Sequence, residues 1–239
     1  MKTACDPDGN ELLAALSPGS KKHIGPALCR MDLALGELLH ECFRPIHDVY
    51  FPVDCIVSLV SMTESGQTSE ICVVGHEGFV GTAILLGTDR TPNQAIVQSA
   101  GTAYRLPASV IKHAFDEDAE LRALLLRYLQ AQIIQMTQTM VCNRHHTIVQ
   151  QLSRWLLLSL DRLPGQEIRM TQELIANMLG VRREGVTDAA SKLKSMGVID
   201  YRRGHITVLD RPKLEQISCE CYASVRSEID RLYRRGKPH

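Results

Sequence analysis

The chain lacks the segments that would direct it into a membrane or out of the cell. Its 239 residues contain no apolar run of the ~18–20 residues that a membrane-spanning helix needs. Its first residues, MKTACDPDGNELLAAL, lack the basic stretch and apolar core of a secretory signal peptide. We therefore expect a cytoplasmic protein without a membrane partner, and a hydrophobic content of 44% is ample for packed cores.

Motifs for metal binding and redox chemistry are scarce. The chain has eight cysteines but no CxxC spacing, and at this length it does not need disulfides to fold. We expect reduced thiols, no metal site and no cofactor. The close pair Cys219 and Cys221 leaves a redox-responsive role open, against two ordinary thiols on a C-terminal helix. The adjacent His145 and His146 do not share a helix face, so we expect both to be solvated. The other cysteines are Cys5, Cys29, Cys42, Cys55, Cys72 and Cys142.

Neither a catalytic constellation nor a net charge marks the whole chain. No general base accompanies a nucleophile at a workable spacing, so we expect no enzymatic activity. Basic and acidic residues balance at 27 each, but they are unevenly distributed. Residues 1–143 contain 10 Lys and Arg against 16 Asp and Glu, a net charge of −6, whereas residues 144–239 contain 17 against 11, a net charge of +6. A basic C-terminal half suits DNA binding, which releases counterions from the phosphates.

The most informative segment is residues 171–199, TQELIANMLGVRREGVTDAASKLKSMGVI. Its spacing predicts two short helices that cross at a tight turn, with Ala176 at the crossing, Gly180 at the positive φ of the turn and Val186 as an anchor. The residues expected to face inward are Leu174, Ile175, Met178 and Leu179 in the first helix, and Val186, Ala189, Ala190 and Leu193 in the second. A generic helical hairpin has the same spacing, so the hairpin alone does not decide the function.

The residues after the hairpin favour DNA binding over a generic hairpin. Residues 198–201 and 205–209 alternate as two strands, and Arg202-Arg203-Gly204 forms the turn between them. This pattern predicts a winged helix-turn-helix whose polar face meets phosphates and base edges in a major groove. The residues expected to contact DNA are Thr171, Gln172, Arg182, Arg183, Glu184, Thr187, Asp188, Ser191, Lys192, Arg202, Arg203 and His205.

The preceding residues predict a β-rich domain followed by a long helix. Between residues 50 and 106, short strands with Gly-rich corners indicate a β-roll or sandwich. Residues 116–143 contain neither Pro nor Gly and begin with acidic side chains, as a long helix prefers. We therefore divide the chain into a β-roll domain (1–115), a dimerisation helix (116–143) and a DNA-binding domain (144–239).

Apolar residues on the long helix step by three and four, which is the a/d seam of a two-stranded coiled coil. The seam favours a homodimer. Its residues are Leu126, Leu129, Ile133, Met136 and Met140. The alternative is a helix packed on its own β-domain, for which a second face is available. That face consists of Leu121, Leu125, Tyr128 and Val141.

In this order and at this length, the three regions resemble the Crp/Fnr family of bacterial transcription regulators. The likeness spans most of the chain, and its most specific part is MLGVRREGVTDAASKLKSMGVI with the arginine wing. The resemblance implies an α+β fold: an N-terminal β-roll of the cyclic-nucleotide-binding type, a long dimerisation helix and a C-terminal winged helix-turn-helix. It implies a homodimer on two-fold double-stranded DNA and adds RNA polymerase as a candidate partner.

The predicted recognition helix departs from the family pattern, in which Arg-Glu is followed by a second arginine four residues after the Glu. Arg183 and Glu184 match, but Asp188 replaces that arginine and offers an acceptor for a cytosine amino group. We therefore expect a different operator sequence. Gly185 would cost about 1 kcal/mol relative to Ala inside a helix, which we interpret as room for a close approach to the DNA backbone.

The β-roll lacks the residues by which family members hold a cyclic nucleotide. Those members carry Gly-Glu for the ribose and an arginine about ten residues later for the phosphate. Here Thr82 follows Gly81, and residues 91–93 interrupt the strand after Arg90, so we expect no binding of cyclic AMP or cyclic GMP. An effector of another kind would contact Gly81, Thr82, Arg90 and Thr137. The alternative is a constitutive dimer with a ligand-free, structural β-roll, and the N-terminal cysteines are too widely spaced for an iron–sulfur cluster.

Overall fold

The computed structural model describes residues 9–165 and 167–233, so Cys5 and residues 234–239 of the predicted DNA-binding domain lie outside the described chain. The helices are α1 (Glu11–Ala14), α2 (Pro18–Ile24), α3 (Ala108–Glu117), α4 (Ala119–His145), α5 (Ile148–Leu160), α6 (Gln172–Leu179), α7 (Arg183–Ser195), α8 (Arg211–Ile217) and α9 (Glu220–Tyr233). The strands are β1 (Cys29–Leu33), β2 (Leu38–His40), β3 (Asp48–Pro52), β4 (Ile56–Met62), β5 (Thr68–Val74), β6 (Gln94–Ser99), β7 (Gly101–Pro107), β8 (Glu167–Arg169), β9 (Ile199–Arg202) and β10 (His205–Val208).

Residues 29–107 form the predicted β-roll. Its two antiparallel sheets have the strand orders β1-β7-β3 and β2-β6-β4-β5. The chain changes sheets between β6 and β7, where a Cβ on Gly101 would lie 2.9 Å from the backbone oxygen of Asp54. The Asp54 carboxylate fixes this corner, because it accepts a 2.6 Å hydrogen bond from the Thr102 amide. The strand-to-strand corner therefore depends on a residue without a side chain.

The long helix α4 is packed along its own β-roll. Asp118 caps its N-terminus, because the Asp118 carboxylate accepts hydrogen bonds from the backbone amides of Glu120 and Leu121. Leu121, Leu125 and Tyr128 lie in the β-roll core, as expected for the alternative second face, whereas Val141 is 39% exposed. Neither α4 nor any other helix within residues 9–165 and 167–233 combines the length and apolarity needed to cross a bilayer.

Two of the five predicted seam residues do not lie on the exposed face of α4. Leu129 is 7% exposed and belongs to the β-roll core, and Met136 is half-buried against the second apolar cluster of the β-roll. The prediction was wrong for these two positions. The face of α4 that packs on the β-roll extends beyond Leu121, Leu125 and Tyr128 and includes Leu129 and Met136 as well. The d positions of the expected seam therefore stabilise the single chain.

The other three seam residues form an exposed stripe. Leu126, Ile133 and Met140 are 49%, 53% and 68% exposed and follow one another at intervals of seven residues. The exposed Gln130 and Thr137 alternate with them along the helix. The uncovered face of α4 is thus a mixed apolar and polar stripe with heptad spacing.

The remaining residues build a winged helix-turn-helix. The side chain of Thr147 caps α5 in a capping box with Gln150. Trp155, the single tryptophan, is 2% exposed and packs in the same core as α6 and α7. The wing strands pair as expected, but a third strand, β8, lies on the other side of β10. At three residues, β8 is too short to give a periodic signal in the sequence.

A buried ion pair joins the winged helix-turn-helix to the β-roll and to α4. Arg162 follows α5, and its Nε donates to Glu77 Oε1 at 2.7 Å. The same guanidinium donates to the Leu158 carbonyl and, at 3.2 Å, to Gln135 Oε1 of α4. Arg162 and Glu77 are 2% and 5% exposed. A Cβ on Gly75 would lie 2.6 Å from the Arg162 stem, so this glycine leaves the space that the arginine occupies.

The last described helix, α9, returns along α4 to the N-terminal part of the chain. Leu232 joins the core of the β-roll, and the Tyr233 hydroxyl donates a hydrogen bond to the Glu77 carbonyl. Residues assigned to the region 144–239 thus pack into the core of the region 1–115. The division into three domains stays a prediction about which parts fold independently.

We expect Gly78→Ala to destabilise the β-roll. A Cβ at residue 78 would lie 2.2 Å from the ring of Tyr128, whose position is fixed by burial and by a hydrogen bond to the Phe79 carbonyl. Overpacking of this kind costs about 1–3 kcal/mol. In a chain of this size each kcal/mol lowers Tm by about 2–4 °C, which thermal unfolding measures.

The matched control is Gly25→Ala. Gly25 has an ordinary φ of −51°, and no atom lies within 4 Å of the Cβ that alanine would add. The free energy of unfolding of Gly25→Ala should stay within about 0.5 kcal/mol of that of the unsubstituted protein. Equal losses of Tm in the two variants would contradict the assigned contact with Tyr128.

Candidate nucleic-acid interface

The predicted crossing of two short helices is present in α6 and α7. Gly180 ends α6 with φ 65° and ψ 34°, the left-handed conformation that favours glycine. Ala176 and Val186 are 4% and 0% exposed, as expected for the crossing point and the anchor. The Thr187 hydroxyl donates to the Gln172 side-chain oxygen at 2.8 Å and so fixes α7 against the start of α6.

Two expectations about this hairpin were wrong. Leu174 is 41% exposed, because the buried face of the short helix α6 is narrow and consists of Ile175, Ala176 and Leu179. Gly185 does not face outward: a Cβ there would lie 2.6 Å from Cδ1 of Ile148 in α5. The glycine therefore allows α7 to approach α5 closely, and it leaves no special room for a DNA backbone. The four predicted inward residues of α7 are all buried.

The outward face of α7 is polar. Arg183 and Glu184 occupy its first turn, where the positive end of the helix dipole attracts phosphate groups. Arg183 pairs with Glu173 at 3.8 Å, and an exposed pair of this length holds the arginine weakly. Thr187 is half-buried, and its hydroxyl is already hydrogen-bonded to Gln172. The exposed residues of this face are Arg182, Arg183, Glu184, Asp188, Ser191 and Lys192.

The wing turns at Arg203 and Gly204, whose φ angles of 49° and 83° fit the tight hairpin turn that requires positive φ at both central residues. Arg202 is paired with Asp200 at 2.9 Å, and Asp200 also accepts a hydrogen bond from Lys194. The hydrogen bond from Lys194 and the nearby Arg202 lower the pKa of Asp200. Among residues 9–165 and 167–233, Arg203 forms no salt bridge, which leaves a cation at the tip of the wing available for a partner.

A groove of about 350 Å³ runs between α7 and the wing, and it brings together five of the predicted contact residues. These are Thr171, Gln172, Arg183, Ser191 and Arg203. Arg182 lies apart from them, in a second groove between the turn after α6 and the β4–β5 hairpin. His205 lies at the start of β10 and pairs with Glu167 of β8. Of the twelve predicted contacts, five thus line this groove, and Arg182 and His205 lie outside it.

The predicted effector residues do not converge on one site. The Thr82 hydroxyl donates to Gln132 Oε1 of α4 at 2.9 Å, which ties the turn after Gly81 to the helix. Arg90 is exposed and pairs with the neighbouring Asp89, and Thr137 is exposed and bonds to carbonyls of its own helix. Within the described chain, no hydrogen bond or ion pair connects Arg90 or Thr137 to Thr82. A small internal space of about 10 Å³ lies on another side of Gln132, and none of the four predicted effector residues lines it.

The structure brings together four residues that the sequence left apart. The side chains of Cys142, His146, Cys219 and Cys221 offer ligand atoms within 4.8 Å of one another. Cys142 lies 77 residues from Cys219, so no local spacing predicts the whole cluster. The signals in the sequence were the close pair Cys219 and Cys221 and the four-residue step from Cys142 to His146. The expectation of a solvated histidine was wrong for His146, whose side chain is 13% exposed under α9, whereas His145 is exposed.

The thiols of this cluster interact strongly. Cys142 Sγ and Cys219 Sγ are 3.5 Å apart, and all three cysteines are buried. The hydrogen bond from Cys142 lowers the pKa of the Cys219 thiol to about 5. The same bond, together with burial, raises the pKa of Cys142. Burial raises the pKa of Cys221 to about 11.

Comparison with known proteins gives consistent matches. Residues 150–217 match the family model of the Crp-like helix-turn-helix domain. The global nitrogen regulator of Nostoc sp. (strain PCC 7120) is 24% identical over 174 residues, which cover 69% of this chain and 78% of that protein. Among solved structures, FixK2 from Bradyrhizobium japonicum has a TM-score of 0.68 and 17% identity, covering 80% of this chain and 98% of its own. A CRP/FNR-family transcriptional regulator from Thermus thermophilus has a TM-score of 0.65 and 21% identity at the same coverage. These structures establish the fold.

Proposed function

We propose that this chain, a member of the Crp/Fnr family of transcription regulators, binds a two-fold DNA operator as a homodimer and reads it with α7 and the wing. The observation that carries the proposal is the groove between α7 and the wing, where exposed polar side chains and the wing-tip Arg203 surround the start of α7. In helix-turn-helix proteins the N-terminal residues of the second helix contact base edges in the major groove.

The two parts of this surface suit different tasks. Arg183 and Glu184 project from the first turn of α7, and arginine makes bidentate contacts to guanine while glutamate accepts from cytosine. Arg203 lies at the turn of the wing rather than on α7, and arginines outside the recognition helix commonly contact phosphates. We therefore assign base readout to the start of α7 and positioning on the backbone to the wing.

Arg183→Ala is expected to cost about 1–3 kcal/mol of operator binding and to relax base preference at one position of each half-site. Arg203→Ala is expected to weaken binding to all sequences about equally and to reduce the slope of log K against log salt by roughly one. Fluorescence anisotropy with operator and scrambled duplexes over a salt series measures both effects.

The control for these two variants is Arg44→Ala. Arg44 is an exposed arginine of the β-roll that pairs weakly with Glu41, so its loss removes the same charge far from the proposed interface. Its operator affinity and salt slope should match those of the unsubstituted chain. If Arg183→Ala and Arg203→Ala showed the same dependence on DNA sequence, the division of tasks would be refuted.

The proposed dimer uses the exposed stripe of α4. Isolated apolar side chains are common on surfaces, but Leu126, Ile133 and Met140 recur every seven residues along one helix face. Pairing this face with a second copy about a two-fold axis would bury all three side chains twice. A symmetric pair of α4 helices also places two copies of α7 on one side of the molecule, as a palindromic operator requires.

The double variant Leu126→Asp, Ile133→Asp should sediment as a monomer at concentrations where the unsubstituted chain is a dimer. The side chains are half-exposed in the single chain, so the fold is retained, whereas two pairs of facing carboxylates would repel across the two-fold axis. Equilibrium sedimentation measures the mass. Leu35→Asp, at an equally exposed apolar residue of the β-roll, is the control and should remain dimeric. A dimer that survives the double substitution would refute the assigned interface.

The β-roll is proposed to act without a cyclic nucleotide, and the constitutive dimer is the second candidate function. The observation that favours it is that the Thr82 hydroxyl, at the place of the missing carboxylate, donates its hydrogen bond to Gln132 of α4. Arg90, the one arginine near the position of the phosphate anchor, is exposed and paired with Asp89.

Millimolar cyclic AMP or cyclic GMP should leave both the Tm and the operator affinity unchanged. A ligand that binds the native state at one hundred times its dissociation constant adds ~2.7 kcal/mol, which a thermal scan detects readily. A saturable increase of Tm that disappears in Arg90→Ala would contradict this prediction and assign Arg90 as the phosphate anchor. The comparison with Arg44→Ala, which removes an arginine elsewhere on the β-roll, separates anchoring from general charge effects.

A further inference from the structure

Four metal-ligating side chains converge where α4 ends and α9 begins. Around a tetrahedral ion with metal–sulfur bonds of ~2.3 Å and metal–nitrogen bonds of ~2.0–2.1 Å, neighbouring ligand atoms are about 3.5–3.8 Å apart. In the cluster, Cys142 Sγ lies 3.5 Å from Cys219 Sγ, and Cys221 Sγ lies 3.7 Å from Nδ1 of His146. Both distances match the edges of such a tetrahedron.

We propose that Cys142, His146, Cys219 and Cys221 bind one Zn²⁺ ion in a Cys₃His site. Each thiol transfers its proton to solvent on binding, so that three thiolates and one neutral imidazole surround the ion. Four protein ligands complete the tetrahedron and leave no open position, which makes the site structural. The proposal does not depend on DNA binding.

The histidine is already oriented as a ligand. Its Nδ1 faces Cys221, while its Nε2 lies 3.3 Å from the Glu220 carboxylate. Metal-bound histidines commonly donate their second ring N–H to a carboxylate, which fixes the ring and strengthens the ligand. Glu220 would have this role, since it lies between the two cysteines of the Cys219-Glu220-Cys221 segment.

A buried cation compensates the charge of the proposed site. Three thiolates and Zn²⁺ carry a net charge of −1. Arg154 is 4% exposed, lies within electrostatic range of Cys142 and Cys221, and forms no salt bridge among the residues described. Among the described residues, Nε of Arg154 has no hydrogen-bond partner. Nη1 of Arg154 donates a hydrogen bond of 3.3 Å to the Thr139 hydroxyl. A buried guanidinium is costly unless negative charge lies nearby. Glu70 is within electrostatic range of Arg154 but forms no ion pair with it, and an anionic metal centre would add a second compensating charge.

A disulfide explains the cluster less well. It would require Cys142 Sγ and Cys219 Sγ to approach from 3.5 Å to about 2.0 Å. A disulfide would involve only two of the four side chains. It would not account for the contact between Cys221 and His146 or for the Glu220 carboxylate next to His146. Zn²⁺ uses all four ligands, as well as Glu220.

The position of the site gives the ion a mechanical role. Cys142 lies in the last turns of α4 and His146 caps that helix, whereas Cys219 and Cys221 flank the first residue of α9. The next helix, α5, begins only two residues after His146, and the Gln151 amide donates to the His146 carbonyl at 2.9 Å. Zn²⁺ would therefore tie the start of α9 to the junction between α4 and the DNA-binding region.

The first test is metal content and coordination in the full-length protein, purified under reducing conditions without chelators. We expect one zinc ion per chain by mass spectrometry. Replacement with Co²⁺ should give the visible bands of a tetrahedral cobalt site and near-ultraviolet charge transfer from sulfur. A protein without stoichiometric metal that also shows no tetrahedral Co²⁺ spectrum with reduced thiols would overturn the proposal.

The second test grades the ligands. Cys221→Ser should abolish or strongly weaken the charge-transfer band, whereas Cys72→Ser, at a buried cysteine of the β-roll, should leave it unchanged. Glu220→Gln should keep the spectrum but weaken Co²⁺ affinity about 10–100-fold. Its control, Glu228→Gln on the same helix, should bind Co²⁺ as the unsubstituted chain does.

Thermal unfolding provides a readout that needs no spectrum. A chelator should lower the Tm of the unsubstituted protein and of Cys72→Ser, but it should not change the Tm of Cys219→Ser, in which the site is already incomplete. Equal chelator effects in all three proteins would overturn the assignment of the ion to this cluster. Recovery of a Cys142–Cys219 disulfide, from protein whose thiols were blocked at lysis, would also overturn it and assign a redox pair instead.

Discussion

The buried ion pair between Arg162 and Glu77 is the contact on which the arrangement of this molecule depends. Three regions meet at the guanidinium: the end of α5, the β-roll through Glu77, and α4 through Gln135. Both charges are almost completely buried, so removing either one would leave the other without a counterion, at a cost of about 3–5 kcal/mol. The pair therefore fixes the winged helix-turn-helix relative to the helix whose exposed stripe is the proposed dimer face.

This constraint relates the proposed function to the fold. If two α4 helices pair about a two-fold axis, the Arg162 contact determines where each copy of α7 lies relative to that axis. The proposed zinc site acts at the other end of the same junction, since it binds the end of α4 to the start of α9. One buried ion pair and one metal site would together hold the DNA-binding region at two points.

The sequence predicts those parts of the molecule whose signals are local. The turn between α6 and α7 needs a positive φ that Gly180 provides, and the wing turn has the arginine and glycine that its backbone requires. Burial of Val186 follows from a helical period of 3.6 residues. The strands of the β-roll between residues 50 and 106 follow from their alternation and Gly-rich corners, whereas β1 and β2 precede the range in which strands were predicted.

Features that depend on distant partners were not predictable from the sequence. Leu129 has the right heptad position for a dimer seam, but only the packed β-roll shows that it is already covered. A glycine at position 185 of the predicted recognition helix was interpreted as room for the DNA backbone, but the space beside Gly185 is occupied by Ile148 of α5. The cysteine cluster depends on α9 folding back over α4, which brings Cys219 to Cys142 across 77 residues. In each case the deciding contact is tertiary, and no local periodicity encodes it.

The most direct test of the central claim is selection of bound duplexes from a random DNA pool by the purified full-length protein, followed by sequencing. The account predicts enrichment of an inverted repeat whose half-sites are centred one helical turn apart, about 10–10.5 base pairs. The two half-sites should have the same sequence in opposite orientations, because two identical copies of α7 related by a two-fold axis would bind them. Enrichment of a single unrepeated site, or of no sequence at all, would contradict a dimeric regulator that reads DNA through α7.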